Sequence, residues 1–241
     1  MNVLVIDTAT EACSVAIHTP EATFTDFAIC PQEHAVNILP MVQKVLDESG
    51  LKKSELNYLG FGRGPGSFTG VRIATGIIQG LALGLDKKVV GISTLEALAQ
   101  QTLSQYIADN SAQVNGSAKS PIDILCAIDA RMSEVYFAHY RFAEGALTIV
   151  GHEEVLAPVE VLARLAEQHV THTTALLAGT GWQAYADFNV AAEPAVTLPA
   201  AEFMLPAALR LITAGQALPI EDVQPEYVRD KVTWKKLPGR E

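Results

Sequence analysis

The residues with the clearest capacity for chemistry lie in one glycine-rich stretch, Gly62-Arg63-Gly64-Pro65-Gly66-Ser67-Phe68-Thr69-Gly70-Val71-Arg72. Four glycines and a proline in nine positions indicate a backbone that adopts positive φ or passes close to another group. The stretch joins a predicted strand to a predicted helix, whose free N–H groups can hold an anion. Neither standard phosphate motif is present, because Thr69 replaces the third dinucleotide-binding glycine and no Gly-Lys-Ser/Thr follows. An anion or partner site and a simple tight turn are therefore equal alternatives.

The hydrophobic pattern predicts the elements that position this stretch. Strands are predicted at 1–6, 13–18 and 24–29, and a helix over 35–49 ends at Gly50. Pro40 predicts a kink in that helix or a late start. A strand at 58–61 then leads into a helix over 70–85, and a strand at 89–92 precedes a helix over 94–106.

A second set of elements follows a break in this pattern. Positions 108–121 are small, polar and aperiodic, which predicts a loop or linker. Beyond it, a strand at 122–128 ends in Asp129 as the first strand ends in Asp7, and a further strand follows each aspartate. This weak repetition predicts two related lobes, 1–106 and 107–200, with a tail over 215–241. The remaining predicted elements are strands at 147–150, 153–156 and 175–178 and helices over 158–168 and near 201–214.

Composition excludes several classes of protein. The 241 residues are 49% hydrophobic and 18% charged, so the chain can bury a substantial core. A formal charge of −10 argues against a dedicated nucleic-acid-binding protein, because phosphate binding depends on clustered cations. Three separated cysteines without a Cys-x-x-Cys pair indicate neither disulfides nor zinc and fit the cytoplasm. No signal peptide is expected, and the apolar helix at 71–85 is predicted to be too short to span a membrane.

The motif Gly64-Pro65-Gly66-Ser67-Phe68-Thr69-Gly70-x-Arg72 closely resembles the signature of the bacterial TsaB (YeaZ) family of threonylcarbamoyladenosine synthesis proteins. The resemblance runs almost end to end, through segments 5–10, 92–98, 128–136 and 225–229. It implies a two-lobed α/β fold of the actin/Hsp70/sugar-kinase (ribonuclease H-like) type, with mixed sheets flanked by helices. It also implies that the helix near 201–214 returns to the first lobe.

The resemblance implies a function as well: a non-catalytic scaffold or activator subunit for N6-threonylcarbamoyladenosine formation in tRNA. The implied partners are a TsaD-type transferase and a TsaE-type ATPase, with tRNA contacted only indirectly and a homodimer when the chain is alone. No cofactor is implied for the chain by itself, and a nucleotide in the complex is left open. The alternative is a nucleotide-dependent kinase or hydrolase of the same superfamily.

Carboxylates at strand ends hold a metal–phosphate group in that superfamily. The resemblance therefore implies a nucleotide or anion site formed by Asp7, Thr8, Thr10, Asp129, Gly179 and Gly181. The residues themselves allow a simpler interpretation, because an aspartate after a strand can close an Asx turn and Gly-Thr-Gly is a common strand-ending turn. Asp129 is followed by Ala130 and Arg131 rather than by glycine, which favours the turn at that position.

The catalytic relative, TsaD, carries two histidines four residues apart, flanking a glutamate, at the start of the helix after the fifth strand. Such a pair shares one helical face and can ligate one metal. Alignment over 92–98 retains the glutamate as Glu96 but puts Thr94 and Leu98 at the histidine positions. We therefore expect no metal site and neither transferase nor metalloprotease activity in this chain.

Glycines recur every four residues along the helix over 70–85, and each costs about 1 kcal/mol of helix propensity relative to alanine. Close approach of another helix or sheet would offset this cost. Periodicity leaves open whether that approach occurs in the core or between subunits. The resemblance favours a face that meets TsaD or a second copy, formed by Leu39, Val42, Leu46, Ile73, Gly76, Ile77, Gly80, Leu81 and Gly84.

Overall fold

The computed structural model describes residues 1–110, 121–191, 194–224, 226 and 228. Its first sheet is mixed, with five strands in the order β3-β2-β1-β4-β5. These are β1 (Val3–Asp7), β2 (Ala12–His18), β3 (Thr23–Ile29), β4 (Tyr58–Gly64) and β5 (Val89–Ser93). β1 pairs antiparallel with β2 and parallel with β4, so the ends of β1 and β4 lie side by side.

The second sheet repeats this arrangement. Its four strands, in the order β8-β7-β6-β9, are β6 (Ile122–Asp129), β7 (Val135–Ala143), β8 (Ala146–Leu156) and β9 (Leu176–Ala178). β6 pairs antiparallel with β7 and parallel with β9, as β1 pairs with β2 and β4. Asp7 and Asp129 therefore end equivalent strands, and the repetition predicted from the sequence is present in the topology.

Helices cover both faces of each sheet. They are α1 (His34–Ser49), α2 (Phe68–Leu85), α3 (Thr94–Asp109), α4 (Pro158–Glu167), the single-turn α5 (Gly181–Ala184) and α6 (Leu205–Thr213). One face of the first sheet packs against α1 and α2, and the other packs against α6 and the 3-10 helix Ala201–Met204. α3 and α4 cover the two faces of the second sheet. Because α3 follows β5 directly, its N-terminus stays beside the first sheet.

The segment after α6 crosses the edge of the first sheet. Leu218 forms an antiparallel bridge with Val89 of β5, and the Gln79 side chain donates a 2.9 Å hydrogen bond to the Val223 carbonyl. Further on, the Glu226 N–H donates a 3.1 Å hydrogen bond to the Arg63 carbonyl. The segment therefore runs from β5 to the end of β4, where the glycine-rich loop begins.

Several element boundaries differ from those predicted. α1 begins at His34, well before Pro40, so the late start, one of the two alternatives that this proline left open, does not occur. A single strand, β8, replaces the two predicted strands, and its register against β7 shifts near Ala138. α3 continues to Asp109, so the linker predicted over 108–121 begins inside a helix. Most of that linker, 111–120, and much of the tail predicted over 215–241 lie outside the described residues.

α2 also differs from its prediction. It begins at Phe68 and contains 18 residues, so it is long and apolar enough, by length and composition, to cross a membrane. The prediction that it is too short is therefore wrong. In this fold the buried side of α2, including Ala74 and Ile78, packs in the core of the first lobe.

Candidate functional site

The glycine-rich loop between β4 and α2 packs directly on the turn between β1 and β2. A Cβ atom on Gly66 would lie 2.2 Å from the Ala9 carbonyl oxygen, and one on Gly70 would lie 2.0 Å from the Thr8 carbonyl oxygen. The Ser67 N–H donates a 2.7 Å hydrogen bond to the Ala9 carbonyl, and the Thr8 hydroxyl donates one of 2.7 Å to the Gly70 carbonyl. Hydrogen bonds thus hold the two turns together, and only glycine fits where their backbones come closest.

The same contacts account for the start of α2. The Ser67 hydroxyl accepts a 3.3 Å hydrogen bond from the Gly70 N–H and serves as the N-cap. Close approach of one backbone to another explains the glycines without an anion. The interpretation as a tight, packed turn is the one that this geometry supports.

Asp7 lies completely buried at the end of β1. Its Oδ1 accepts a 3.2 Å hydrogen bond from the Ala9 N–H, which forms the Asx turn expected from the residues alone. Its Oδ2 has no hydrogen-bond partner within the described part of the chain. A Cβ atom on Gly62 would lie only 1.9 Å from Oδ1, so β4 closes over this carboxyl group. Burial raises the pKa of Asp7 to about 7, against smaller opposing effects of the backbone N–H groups.

Asp129, the equivalent residue of the second sheet, has its oxygen atoms engaged by neighbours. Oδ1 accepts hydrogen bonds of 2.8 Å from the Arg131 N–H and from the Tyr185 hydroxyl, and Oδ2 accepts one of 2.8 Å from the Arg131 guanidinium. An Asx turn is therefore present here too. The partners of Asp129 all come from the second lobe and those of Asp7 from the first, so these contacts do not join the two carboxylates in one site.

The remaining members of the predicted nucleotide site are also packed against their own lobes. Cβ atoms on Gly179 and Gly181 would lie 2.2 and 3.0 Å from the Ala127 carbonyl oxygen, so both glycines permit the chain to pass close to β6. Thr8 is fully buried and Thr10 nearly so. Internal packing accounts for each of these residue types.

The positions aligned with the TsaD histidines lie inside the core. Thr94 and Leu98 are both completely buried at the start of α3, and Leu98 belongs to the core under the second sheet. Glu96 points away from them and forms a 2.9 Å ion pair with Arg210 of α6. Within residues 1–110, 121–191 and 194–224, no group of three or more histidine, cysteine, aspartate or glutamate side chains could hold a metal.

An apolar surface runs along α1 and α2. Gly76, Gly80 and Gly84 are exposed, and a Cβ atom on any of them would meet nothing within 4 Å. Beside them Ile73, Ile77 and Leu81 are half-buried, and Leu39 and Leu83 are exposed. We call this surface, with Val36 of α1, the α1/α2 face. Among the described residues, therefore, nothing packs against the glycine ridge from within the lobe.

Two of the predicted interface residues are not on that face. Val42 and Leu46 are each 2% exposed and pack in the core between α1 and the first sheet. α1 carries apolar residues on both sides, so the helical spacing of Val42 and Leu46 could not show which side faces the sheet. They are corrected from interface residues to core residues.

A group of charged residues that the sequence interpretation missed lines a cleft between the two lobes. Arg63 lies near the end of β4 and Glu153 lies on β8, and their Nη2 and Oε2 atoms are 3.5 Å apart. The Glu96–Arg210 pair lines the same cleft. In the sequence, the only sign of this cleft was the position of Arg63 between two glycines. Contacts between residues of two lobes cannot be inferred from the spacing of residues along the chain.

This two-lobed arrangement of repeated mixed sheets flanked by helices is the actin/Hsp70/sugar-kinase type of α/β fold. The family model for TsaD, tRNA N6-adenosine threonylcarbamoyltransferase, matches residues 28–232. The chain is 42% identical to the TsaB of Escherichia coli, over all of both chains, and 37% identical to that of Haemophilus influenzae, over all of this chain and 99% of the relative. The solved structure of YeaZ from Pseudomonas aeruginosa superimposes with a TM-score of 0.76 at 36% identity, covering 94% of this chain and 99% of that one.

These matches extend along the whole chain and agree with the motif at positions 64–72. The chain belongs to the TsaB (YeaZ) family. Its relatives from Escherichia coli and Haemophilus influenzae are named as tRNA threonylcarbamoyladenosine biosynthesis proteins.

Proposed function

We propose that this chain is a non-catalytic subunit for the formation of N6-threonylcarbamoyladenosine in tRNA. It works in the cytoplasm by binding a TsaD-type transferase through the α1/α2 face, and a TsaE-type ATPase joins the assembly. The same face pairs with a second copy when the transferase is absent. The chain contacts tRNA only through these partners, since its net charge of −10 opposes direct binding to phosphates.

The observation that carries this proposal is the open glycine ridge on α2. Three exposed glycines cost the isolated helix about 3 kcal/mol of propensity relative to alanine. No atom of the described chain approaches the positions of their missing side chains, so nothing within the lobe offsets that cost. A partner helix could lie close to the backbone there and also cover Val36 and Leu83, whose exposed fractions are 74% and 75%.

The non-catalytic role is supported by the start of α3. Where TsaD has its two histidines, this chain has Thr94 and Leu98, both without exposed surface. A leucine side chain cannot ligate a metal, and a buried threonine cannot reach a ligand from solvent. The chain therefore depends on its partner for the metal and for the transfer reaction.

The alternative, a nucleotide-dependent kinase or hydrolase, has less support. It requires the strand-end aspartates to converge on a phosphate, whereas Asp7 is buried and Asp129 is held by Arg131 and Tyr185. Titration of the isolated chain with ATP and magnesium separates the two functions. Saturable binding that depends on Asp7 and Asp129 would favour the enzyme.

The substitution Gly80→Leu tests the partner face. At a concentration where the isolated chain is monomeric, leucine at this open position should leave its unfolding midpoint unchanged or raise it, because helix propensity improves and no neighbour is displaced. It should abolish close helix packing across the ridge, so that the transferase no longer co-purifies and formation of the modified nucleoside by the complete set of proteins falls sharply. Co-purification, thermal unfolding and nucleoside analysis measure these three effects.

Ala163→Leu is the matched control, because it adds the same side chain to an exposed position of α4 in the second lobe. This variant should retain the transferase. Retention of the transferase by Gly80→Leu would overturn the assignment of the face, and so would equal loss in both variants.

A further inference from the structure

The cleft between the lobes is a built cavity of about 720 Å³, within the range of small-molecule sites. Its polar lining comes from β4, α3, β7, β8, α6 and the C-terminal segment. The charged side chains of this lining are Arg63, Glu96, Glu153, Arg210 and Glu226, and Tyr140 contributes a hydroxyl group. None of them belongs to the α1/α2 face or to the predicted nucleotide site.

Glu153 is the central group of this cleft. Its side chain is 10% exposed, and its Oε1 accepts a 3.3 Å hydrogen bond from the hydroxyl of the buried Tyr140. The Ser93 hydroxyl also donates to the Glu153 carboxylate. Burial raises the pKa of Glu153, and the guanidinium of Arg63 opposes that rise. Two hydroxyl donors and one cation are thus gathered around a carboxylate at a cavity wall.

The ion pair between Arg63 and Glu153 is poor as a stabilising contact. Its closest atoms, Nη2 and Oε2, are 3.5 Å apart, longer than a well-formed charge-assisted hydrogen bond. Desolvating both groups costs free energy that a loose pair recovers only in part. Perturbed and partly buried charges that line a cavity are typical of ligand sites.

The spacing of these two groups restricts the ligand. A molecule that binds both must present an anionic acceptor to Arg63 and an N–H donor to Glu153 from neighbouring positions, as an α-amino acid does. The Arg63 guanidinium already binds one carboxylate, that of Glu226. The Glu226 side chain is 57% exposed, so it contacts the guanidinium from the solvent side. Leu147 and Ile149 add an apolar wall to the same cleft.

We propose that the cleft between the lobes binds an α-amino acid, free or N-acylated. The ligand carboxylate displaces Glu226 from Arg63, its N–H donates to Glu153, and its side chain lies toward Leu147 and Ile149. Once Glu226 is displaced, the positive charges of Arg63 and Arg210 balance the negative charges of Glu96 and Glu153. The cleft then suits a neutral ligand, or one with a single negative charge that replaces the charge of Glu226. Glu226 is therefore a built-in competitor for the site.

Calorimetric titration of the full chain tests this proposal with three probes: L-leucine, N-acetyl-L-leucine and L-leucinamide, which lacks the carboxylate. Binding of one or both acids should be saturable with a dissociation constant of about 1 mM or below, and the amide should not bind. Saturation by L-leucine alone indicates a free amino acid, and saturation by the acetyl derivative indicates an acylated one. Failure of both acids to saturate at about 10 mM would overturn the proposal, and so would equal binding of the amide.

Variants identify the site. Glu226→Gln should tighten binding of the acid about three- to fivefold, the equivalent of removing one exposed ion pair. Glu21→Gln, at another exposed glutamate, in the turn between β2 and β3, should leave affinity unchanged. Arg63→Gln should abolish binding in a chain that remains folded by circular dichroism. An unchanged affinity in Glu226→Gln would contradict the competitor role even if Arg63→Gln failed to fold.

Discussion

Two groups of glycines, separated by less than two helical turns of α2, occupy opposite environments. Gly62, Gly66 and Gly70 touch the β1 strand or the turn after it so closely that any Cβ would collide with Asp7, Ala9 or Thr8. Gly76, Gly80 and Gly84 face open space. The first group is explained by contacts within the chain, whereas no contact within the described residues explains the second. The residue type alone therefore does not distinguish a folding requirement from a binding surface.

Gly70→Ala should give the largest effect. Its Cβ would lie 2.0 Å from the Thr8 carbonyl oxygen, so two backbone segments must separate, and we expect the free energy of unfolding to fall by about 3 kcal/mol or more. Urea unfolding of the purified variant measures this loss. Gly84→Ala, in the same helix but in the open group, is the control and should lose nothing. Similar unfolding free energies for the two variants would show that the distinction between the groups is false.

Asp7, which lies against Gly62, should make stability depend on pH. Burial raises its pKa from 3.8 to about 7, so between these values the folded chain holds a proton that the unfolded chain releases. The free energy of unfolding should therefore fall as pH rises through this window, by up to about 1.4 kcal/mol per pH unit, and level off above it. Asp7→Asn should flatten this dependence of the free energy of unfolding on pH. Urea unfolding of both proteins across the same pH window measures the difference.

Other groups titrate in that window as well, and the pKa of Glu153 is also raised. Their contributions are common to the wild-type and Asp7→Asn proteins, so the difference between the two profiles isolates Asp7. Parallel profiles would mean that the buried carboxyl is ionised at all of these pH values in the folded protein.

Gly80→Ala should give the smallest effect, and of opposite sign to Gly70→Ala. At a concentration where the isolated chain is monomeric, the unfolding free energy should rise by about 0.5–1 kcal/mol, because alanine favours the helix and the unfolded chain loses conformational freedom. Thermal unfolding followed by circular dichroism detects the change. A decrease in stability would reveal a contact of Gly80 within the chain and would remove the main support for the partner face.

The sequence predicted most strands and helices because alternating and helical hydrophobic patterns are local properties. It also led to the family through the motif at 64–72. It could not assign the environments of the glycines, since close approach depends on which turn lies opposite. It misplaced Val42 and Leu46 because α1 is apolar on its exposed side as well, at Val36 and Leu39. The cleft with Arg63 and Glu153 was missed because it forms only when strands from two sheets meet.

The bridge between Leu218 and Val89 has a consequence for the behaviour of the protein in solution. An unpaired edge strand offers free N–H and C=O groups that can recruit a strand from another molecule and start aggregation. Leu218 occupies part of this edge at β5. At the opposite edge, β3 carries Asp26, held by Lys44 at a position where a charge discourages strand addition. The C-terminal segment thus covers part of an edge that could otherwise pair with a strand of another molecule.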